Sequence, residues 1–91
     1  MAWYLYLLEC KDRSIYTGIA VDVEKRFQQH ASGKGARYTR AHAPLRLLAT
    51  VEYPDRSSAS KAEYAMKQLS PEEKRAFCRS RRKAKKSRKK K

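Results

Sequence analysis

Five side chains of this sequence are of the types that phosphate chemistry needs. Tyr6 and Tyr16 lie in two short apolar segments, Arg26 and His30 stand four residues apart, and Glu63 is the sole acid between Asp55 and Glu72. Arginine offers a planar fork of donors to a phosphate. Histidine holds or passes a proton near neutral pH. A lone carboxylate can hold Mg²⁺, which takes one or two protein carboxylates and completes its shell with water and substrate phosphate. Each side chain also has a plainer role. The tyrosines can pack across two strands, Arg26 and His30 can share a solvated helix face, and Glu63 can pair with Lys67 one turn on.

The elements that must position these groups are short. Trp3 to Leu8 is aromatic and apolar without Gly or Pro, and reads as a strand. Lys11 to Ser14 reads as a turn, and Ile15 to Ile19 as a second strand, so that the two form a hairpin. Gly18 ends or kinks that strand, or lets something approach its backbone closely. Asp22 is placed to cap a helix from about Val23 to Ser32, with Val23, Phe27 and Ala31 as a narrow apolar stripe and Gly33 and Gly35 as its stop. Lys34, Arg37, Arg40 and His42 then make a basic loop with no acid. Leu45, Leu47, Ala49, Val51 and Tyr53 alternate as one face of a third strand, and Pro54-Asp55 ends it. Ser57, Ser58 or Ser60 caps a second helix whose apolar face is Ala59, Ala62, Met66 and Leu69. Ser70-Pro71-Glu72-Glu73 starts a third helix, with Ala76 and Phe77 on its buried side. The expected fold is a small α/β (α+β) domain in the order β-β-α-β-α-α, a three-stranded, mainly antiparallel sheet flanked by helices.

Charge divides the chain in two. Of 91 residues, 23 are basic and 9 acidic, a net charge of +14. Ten of the bases fall in residues 79–91, which hold no acid. The division expected is a domain at 1–78 and a basic tail at 79–91, frayed or disordered when free because its like charges repel. A chain this basic meets a polyanion. The tail, including Arg81, Arg82, Lys85 and Lys86, is suited to gripping phosphates without reading sequence. The longest apolar run is far short of the ~20 residues of a membrane span, and no basic segment precedes it as in a signal peptide. A cytoplasmic, nucleoid-associated protein with no membrane partner is the expectation. Cys10 and Cys78 are too few for a disulfide framework. They show no zinc-type spacing with His30 or His42.

In order and kind, these residues resemble the GIY-YIG nuclease superfamily over residues 3 to about 77. They are most similar to its small stand-alone bacterial branch, itself similar to the catalytic domain of a eukaryotic structure-selective endonuclease. Tyr4-Leu5-Tyr6 stands at the first tripeptide, without its glycine, and Tyr16-Thr17-Gly18 at the second. Arg26, His30 and Glu63 fall where that family has its arginine, this branch its histidine, and the family its metal-binding glutamate.

The resemblance implies a Mg²⁺-dependent (or Mn²⁺-dependent) endonuclease that hydrolyses DNA phosphodiesters. Glu63 would anchor the metal, Arg26 would neutralise the phosphate, and Tyr6 or Tyr16 would orient or deprotonate the attacking water. A free tyrosine has a pKa near ~10, so a base role requires the site to lower it. His30 would share that work. Gly18 would leave space for the substrate backbone, Lys67 would support the site through water, and Lys34, Arg37, Tyr38 and Arg40 would contact the nucleic-acid backbone. With no second domain to read bases, the expected substrate is branched, nicked or single-stranded DNA, as in repair or recombination. One site cuts one strand, so paired cuts would call for a homodimer or a protein partner. The rival reading is a non-catalytic binding protein for DNA or RNA that uses the same basic surface.

Overall fold

The computed structural model describes residues 2–35 and 37–89, and the side chains among them other than Tyr38 and 81–89. Seven elements follow one another: β1 (Trp3–Cys10), β2 (Ile15–Ala20), α1 (Val23–Ala31), α2 (Arg37–Ala41), β3 (Pro44–Tyr53), α3 (Arg56–Lys67) and α4 (Pro71–Lys89). The strands form one antiparallel sheet in the order β2-β1-β3. The expected order of elements holds, with a five-residue helix, α2, added inside the basic loop.

β1 is the central strand, flanked on both sides, which explains its unbroken apolar run. Leu5 to Cys10 are all buried. Leu5 and Leu7 point to one face, where Ile15, Leu48, Met66 and Cys78 complete a core with parts of α3 and α4. Tyr6 and Leu8 point to the other, where Ala20, Tyr16, Val23 and Phe27 pack. The sheet is thus covered on both faces, and the two faces hold different chemistry.

Local signals at the chain turns are satisfied in detail. Asp22 accepts the Lys25 backbone N–H at 3.0 Å and so caps α1. α1 ends with Gly33 at φ +81°, the left-handed conformation glycine adopts cheaply. α4 opens with a reciprocal capping box: the Ser70 N–H donates to Glu73 Oε1 at 2.8 Å, and the Glu73 N–H donates to Ser70 Oγ at 3.2 Å. For α3 the cap is Asp55, which accepts the Ser58 N–H at 2.8 Å, rather than one of the three serines. The residue that ends β3 also starts the helix, so α3 begins earlier than its apolar stripe.

β3 departs from strict alternation. Leu7 pairs with Ala49 but Leu8 with Leu47, so Leu48 is inserted as a bulge. A bulge shifts every later side chain to the opposite face. Ala49, Val51 and Tyr53 join the α3 face as expected, but Leu47 lies opposite Leu8 on the α1 face. Leu48 takes its place in the core, while Leu45 and Leu47 are 54 % and 42 % exposed.

A buried ionic cluster locks sheet to helix. Glu9, on β1 and only 7 % exposed, accepts from Arg46 Nε at 2.7 Å and from Arg75 Nη1 at 2.9 Å. Arg75 Nη2 also donates to the Arg13 carbonyl at 2.6 Å, which ties α4 to the hairpin turn. α4 then continues through the basic run to Lys89 with no break at residue 78. The side chains of Arg81, Arg82, Lys85 and Lys86 lie outside the described residues.

The two arginines, Arg46 first, hold the Glu9 carboxyl below its ordinary value of 4.5. A depressed carboxylate adds stability that is present above the unfolded pKa and lost as pH falls through the folded one. The urea midpoint of the wild type should therefore fall on acidification below about pH 4.5. In Glu9→Gln it should be lower at neutral pH and flatter over that range; parallel pH curves would show that Glu9 is not the source.

Candidate active site

The α1 face of the sheet carries the chemistry. Tyr6, at the middle of β1, lies opposite Gly18 on β2. A Cβ built on Gly18 would sit 2.6 Å from the Tyr6 hydroxyl and 2.7 Å from the ring carbon that bears it. Tyr6 is only 1 % exposed and has nowhere to retreat. The space left by Gly18 is therefore filled by the phenol of Tyr6, not by substrate backbone, which corrects the role expected for that glycine.

Three rings meet here. Tyr16 and His30 are packed edge to face at 5.1 Å between centroids, and Tyr6 stands 6.2 Å from Tyr16 and 6.0 Å from His30. The plain reading, cross-strand packing, is thus part of the answer. It is not all of it, because the rings are joined by polar contacts. The Tyr6 hydroxyl is 2.9 Å from His30 Nε2, and His30 Nδ1 is 2.6 Å from Thr39 Oγ1. His30 is 1 % and Thr39 2 % exposed, so these contacts are shut off from water.

Arg26 lies on α1 one turn before His30. Its Nη1 donates to Gln29 Oε1 at 2.8 Å. The positive charge of its guanidinium is also felt at the Tyr6 hydroxyl and pulls its pKa down. Glu63 lies on α3, the helix that packs across all three strands on the opposite face. Its carboxylate is felt at Tyr6 and ion-paired with Lys67 Nζ at 3.2 Å. Arg26, Tyr16 and Glu63 are half-buried, and Tyr6 and His30 are enclosed. The structure thus joins Tyr6, Tyr16 and His30 directly, with Arg26 one turn from His30 and the charge of Glu63 felt from α3.

The electrostatics reassign one role. Burial, then the neighbouring Tyr16, pushes the Tyr6 hydroxyl up to about 12, against the opposing pull of Arg26. A tyrosine base requires a lowered value, so Tyr6 in this state is a protonated donor and not a base. Burial, and then Arg26, hold His30 below its ordinary value of 6.5. The imidazole is therefore neutral at physiological pH and can accept a proton.

Lys34, Arg37 and Arg40 are exposed at and beside α2, where a phosphate backbone can reach them. The Tyr38 side chain lies outside the described residues. No group of three or more His, Cys, Asp or Glu residues that could hold a metal occurs among the described residues. One hard carboxylate oxygen donor at Glu63 suits a cation held mostly by water and phosphate, not a protein cage. A groove of about 910 Å³ between α1 and β3, lined by Tyr4, Val23, Phe27, Leu45 and Leu47 among others, includes none of the five residues.

Two residues of this centre carry no obvious signal in the sequence. Thr39 lies in a stretch whose charge draws attention to its arginines instead. Gly35 reads as a helix stop, yet a Cβ there would fall 2.1 Å from His30 Nδ1 and 2.9 Å from His30 Cα. Gly35 thus lets the chain pass directly over the imidazole. Gly35→Ala should displace His30 and change its imidazole NMR signals while leaving a folded sheet spectrum. Gly33→Ala, with open space around its Cβ but a positive φ, should cost about 1 kcal/mol of stability and leave those signals in place. Unchanged His30 signals in Gly35→Ala would refute this assignment.

Comparison with known proteins agrees with this geometry. A family model described as the GIY-YIG catalytic domain matches residues 2–76 and stops before the basic run. A UPF0213 protein of Cupriavidus pinatubonensis is 59 % identical over 76 residues, 84 % of either chain. The UPF0213 protein YhbQ of Escherichia coli is 50 % identical over 72 residues, 79 % of this chain and 72 % of that one. The solution structure of the UPF0213 protein BH0048 from Bacillus halodurans has 49 % identity and a TM-score of 0.53 over 85 % of this chain and 82 % of that one. The solution structure of EF2693 from E. faecalis has 35 % identity and a TM-score of 0.60, over 88 % and 85 % respectively. Two tyrosines from a hairpin, an arginine and histidine from the next helix and a glutamate from α3, within a match that spans most of the chain, place this protein in the GIY-YIG family of nuclease catalytic domains.

Proposed function

We propose that this protein is a metal-dependent endonuclease that hydrolyses phosphodiester bonds in DNA, with a preference for branched, nicked or single-stranded structures. The observation that carries this reading is the clustering of Tyr6, Tyr16, His30 and Arg26 on one sheet face, with the charge of Glu63 felt at the Tyr6 hydroxyl from α3. In this reading Glu63 releases Lys67 and holds Mg²⁺ or Mn²⁺. The cation, when bound, stabilises negative charge on the scissile phosphate and the leaving oxygen.

The protein's own residues do the rest. Arg26 moves its guanidinium from the Tyr6 hydroxyl to the phosphate and offsets charge as it develops there. That move opens the Tyr6 oxygen to the attacking water, which Tyr16 helps to orient. The water gives a proton to the Tyr6 oxygen as Tyr6 passes its own to His30 Nε2. The water oxygen bonds to phosphorus as the bond from phosphorus to the leaving oxygen breaks; the phenol ends neutral, His30 ends as imidazolium, and the leaving oxygen departs with the bonding pair and takes a proton from solvent. The pair accepts a proton without forming a free phenolate, which a hydroxyl at about 12 would resist. His30 is then the true base, and the rate should fall with acid only below its ordinary 6.5.

Basic side chains outside the centre supply affinity. Lys34, Arg37 and Arg40 line one approach, and the run from Arg79 onward adds phosphate contacts. With one site per chain, a paired duplex cut takes a homodimer or a partner protein.

The decisive experiment is a nicking assay on branched, flapped, single-stranded and linear DNA, and on RNA, with Mg²⁺, Mn²⁺ or EDTA. Wild type should cut in a metal-dependent manner. Glu63→Gln and Tyr6→Phe should lose at least about 100-fold in rate while binding within a few-fold of wild type. No cleavage of any substrate, with tight salt-sensitive binding by all three proteins, would establish the non-catalytic binding protein instead. Equal activity on plain linear duplex would remove the structure preference.

The contribution of the tail is measured separately, by replacing its ten basic residues with glutamine. Each lost phosphate contact should flatten the slope of log K against log salt by ~0.9. An unchanged slope would remove the tail from the interface.

A further inference from the structure

The polar contacts around His30 form a chain whose direction can be worked out. Tyr6 is 1 % exposed, and a phenol carries one hydrogen to donate. The Tyr6 proton must then find an acceptor in an enclosed site, and His30 Nε2, at 2.9 Å, is positioned to be it. A neutral imidazole that accepts at Nε2 carries its hydrogen at Nδ1. Nδ1 faces Thr39 Oγ1 at 2.6 Å, and a hydroxyl oxygen can accept while donating elsewhere. The chain therefore runs from Tyr6 to His30 to Thr39.

We propose that Thr39 is a positioning residue that fixes His30 in the Nδ1–H tautomer and so keeps Nε2 open to the Tyr6 proton. This rests on the nuclease reading for its consequence but not for its geometry. Three observations support it. Thr39 is 2 % exposed although Arg37 and Arg40 on the same short helix are exposed, so the helix turns the threonine inward. Gly35 leaves His30 Nδ1 no room for a side chain from the loop, which reserves that nitrogen for Thr39. The contact also suits both states of the imidazole. When Nε2 takes a proton, Nδ1 keeps its hydrogen and Thr39 goes on accepting it, so nothing behind His30 must rearrange during proton transfer.

In isolation, neutral imidazole prefers neither ring nitrogen strongly enough to guarantee one form at a site. A hydrogen bond at the far nitrogen decides which is protonated. In the other tautomer, Nε2–H would point at Tyr6, the Tyr6 proton would lose its acceptor, and the pair could not take up a proton. Thr39 also belongs to the helix that carries Arg37 and Arg40. A phosphate backbone held by those arginines steadies the same helix that sets the histidine, which links substrate contact to the readiness of the base.

The test is ¹⁵N NMR of the His30 imidazole in the full-length protein without metal or DNA. In the wild type at neutral pH, Nδ1 should resonate as the protonated nitrogen and Nε2 as the unprotonated one. Thr39→Val keeps the shape and removes the acceptor, so the pattern should move toward Nε2–H or a mixture; Thr39→Ser should restore the wild-type pattern. Cleavage by Thr39→Val should drop about tenfold in kcat with KM nearly unchanged, the loss of one hydrogen bond of about 1.4 kcal/mol, and recover in Thr39→Ser.

An Nε2–H wild type overturns the proposal outright, even if Thr39→Val fails to fold. So does a Thr39→Val protein with the wild-type nitrogen pattern. A wild type with the expected tautomer but no cleavage of any nucleic acid would uphold the tautomer assignment and reject the nuclease reading, so the two are separable.

Discussion

The contact on which the site depends is the hydrogen bond between the Tyr6 hydroxyl and His30 Nε2. It joins the centre of the central strand to the last turn of α1, across a space from which water is excluded. An enclosed polar pair of this kind is costly if any member is left unpaired. The surrounding chain is arranged to prevent that. Gly18 makes room for the phenol, Gly35 makes room for the imidazole, and Thr39 takes the remaining ring nitrogen. Arg26, one turn before His30 on the same helix, is half-buried beside them, with its charge felt at the hydroxyl.

The two faces of the sheet divide the work of stability and chemistry. On one face Leu5, Leu7, Ile15, Leu48 and Met66 form an apolar core, and the Glu9 cluster at its margin ties α4 and the hairpin turn to β1. On the other, the packing around Tyr6 and Leu8 is thinner and mixed with polar groups. A small domain has little stability to spare. Gathering the apolar side chains and the ion cluster on the far face lets the near face carry an enclosed phenol, an imidazole and a half-buried guanidinium.

Much of this was legible in the sequence because it rests on local chemistry. The hairpin, the Asp22 cap, the Ser70–Glu73 box and the order of elements follow from residue types at short spacing. The five candidate residues stand out through the order in which they occur and the family resemblance it carries, and Tyr6, Tyr16 and His30 meet in the fold. What could not be read depends on contacts distant in sequence. The bulge at Leu48 is set by pairing with β1, so strict alternation misplaced Leu47. The role of Gly18 was misread because its partner is a side chain on another strand. Thr39 was invisible because only the fold brings it to His30. A threonine among arginines has no local pattern that marks it.

The raised Tyr6 hydroxyl has a further consequence for how such a site can work. A tyrosine that must act as a base is usually pictured as exposed and flanked by cations. Here burial outweighs the single arginine, and the hydroxyl is pushed up to about 12. The same burial lowers His30, so the two groups are driven apart in proton affinity in the directions that assign one as donor and the other as acceptor. A proton arriving at the Tyr6 oxygen meets a partner already oriented to remove the old one. In the proposed reaction the tyrosine serves as a conduit whose own pKa need not match the working pH, and the requirement for a matched base passes to the histidine. In that proposal the phenol can be enclosed in the core and still take part in the chemistry. What it must supply is an oxygen in the right place, and strand β1 fixes that place.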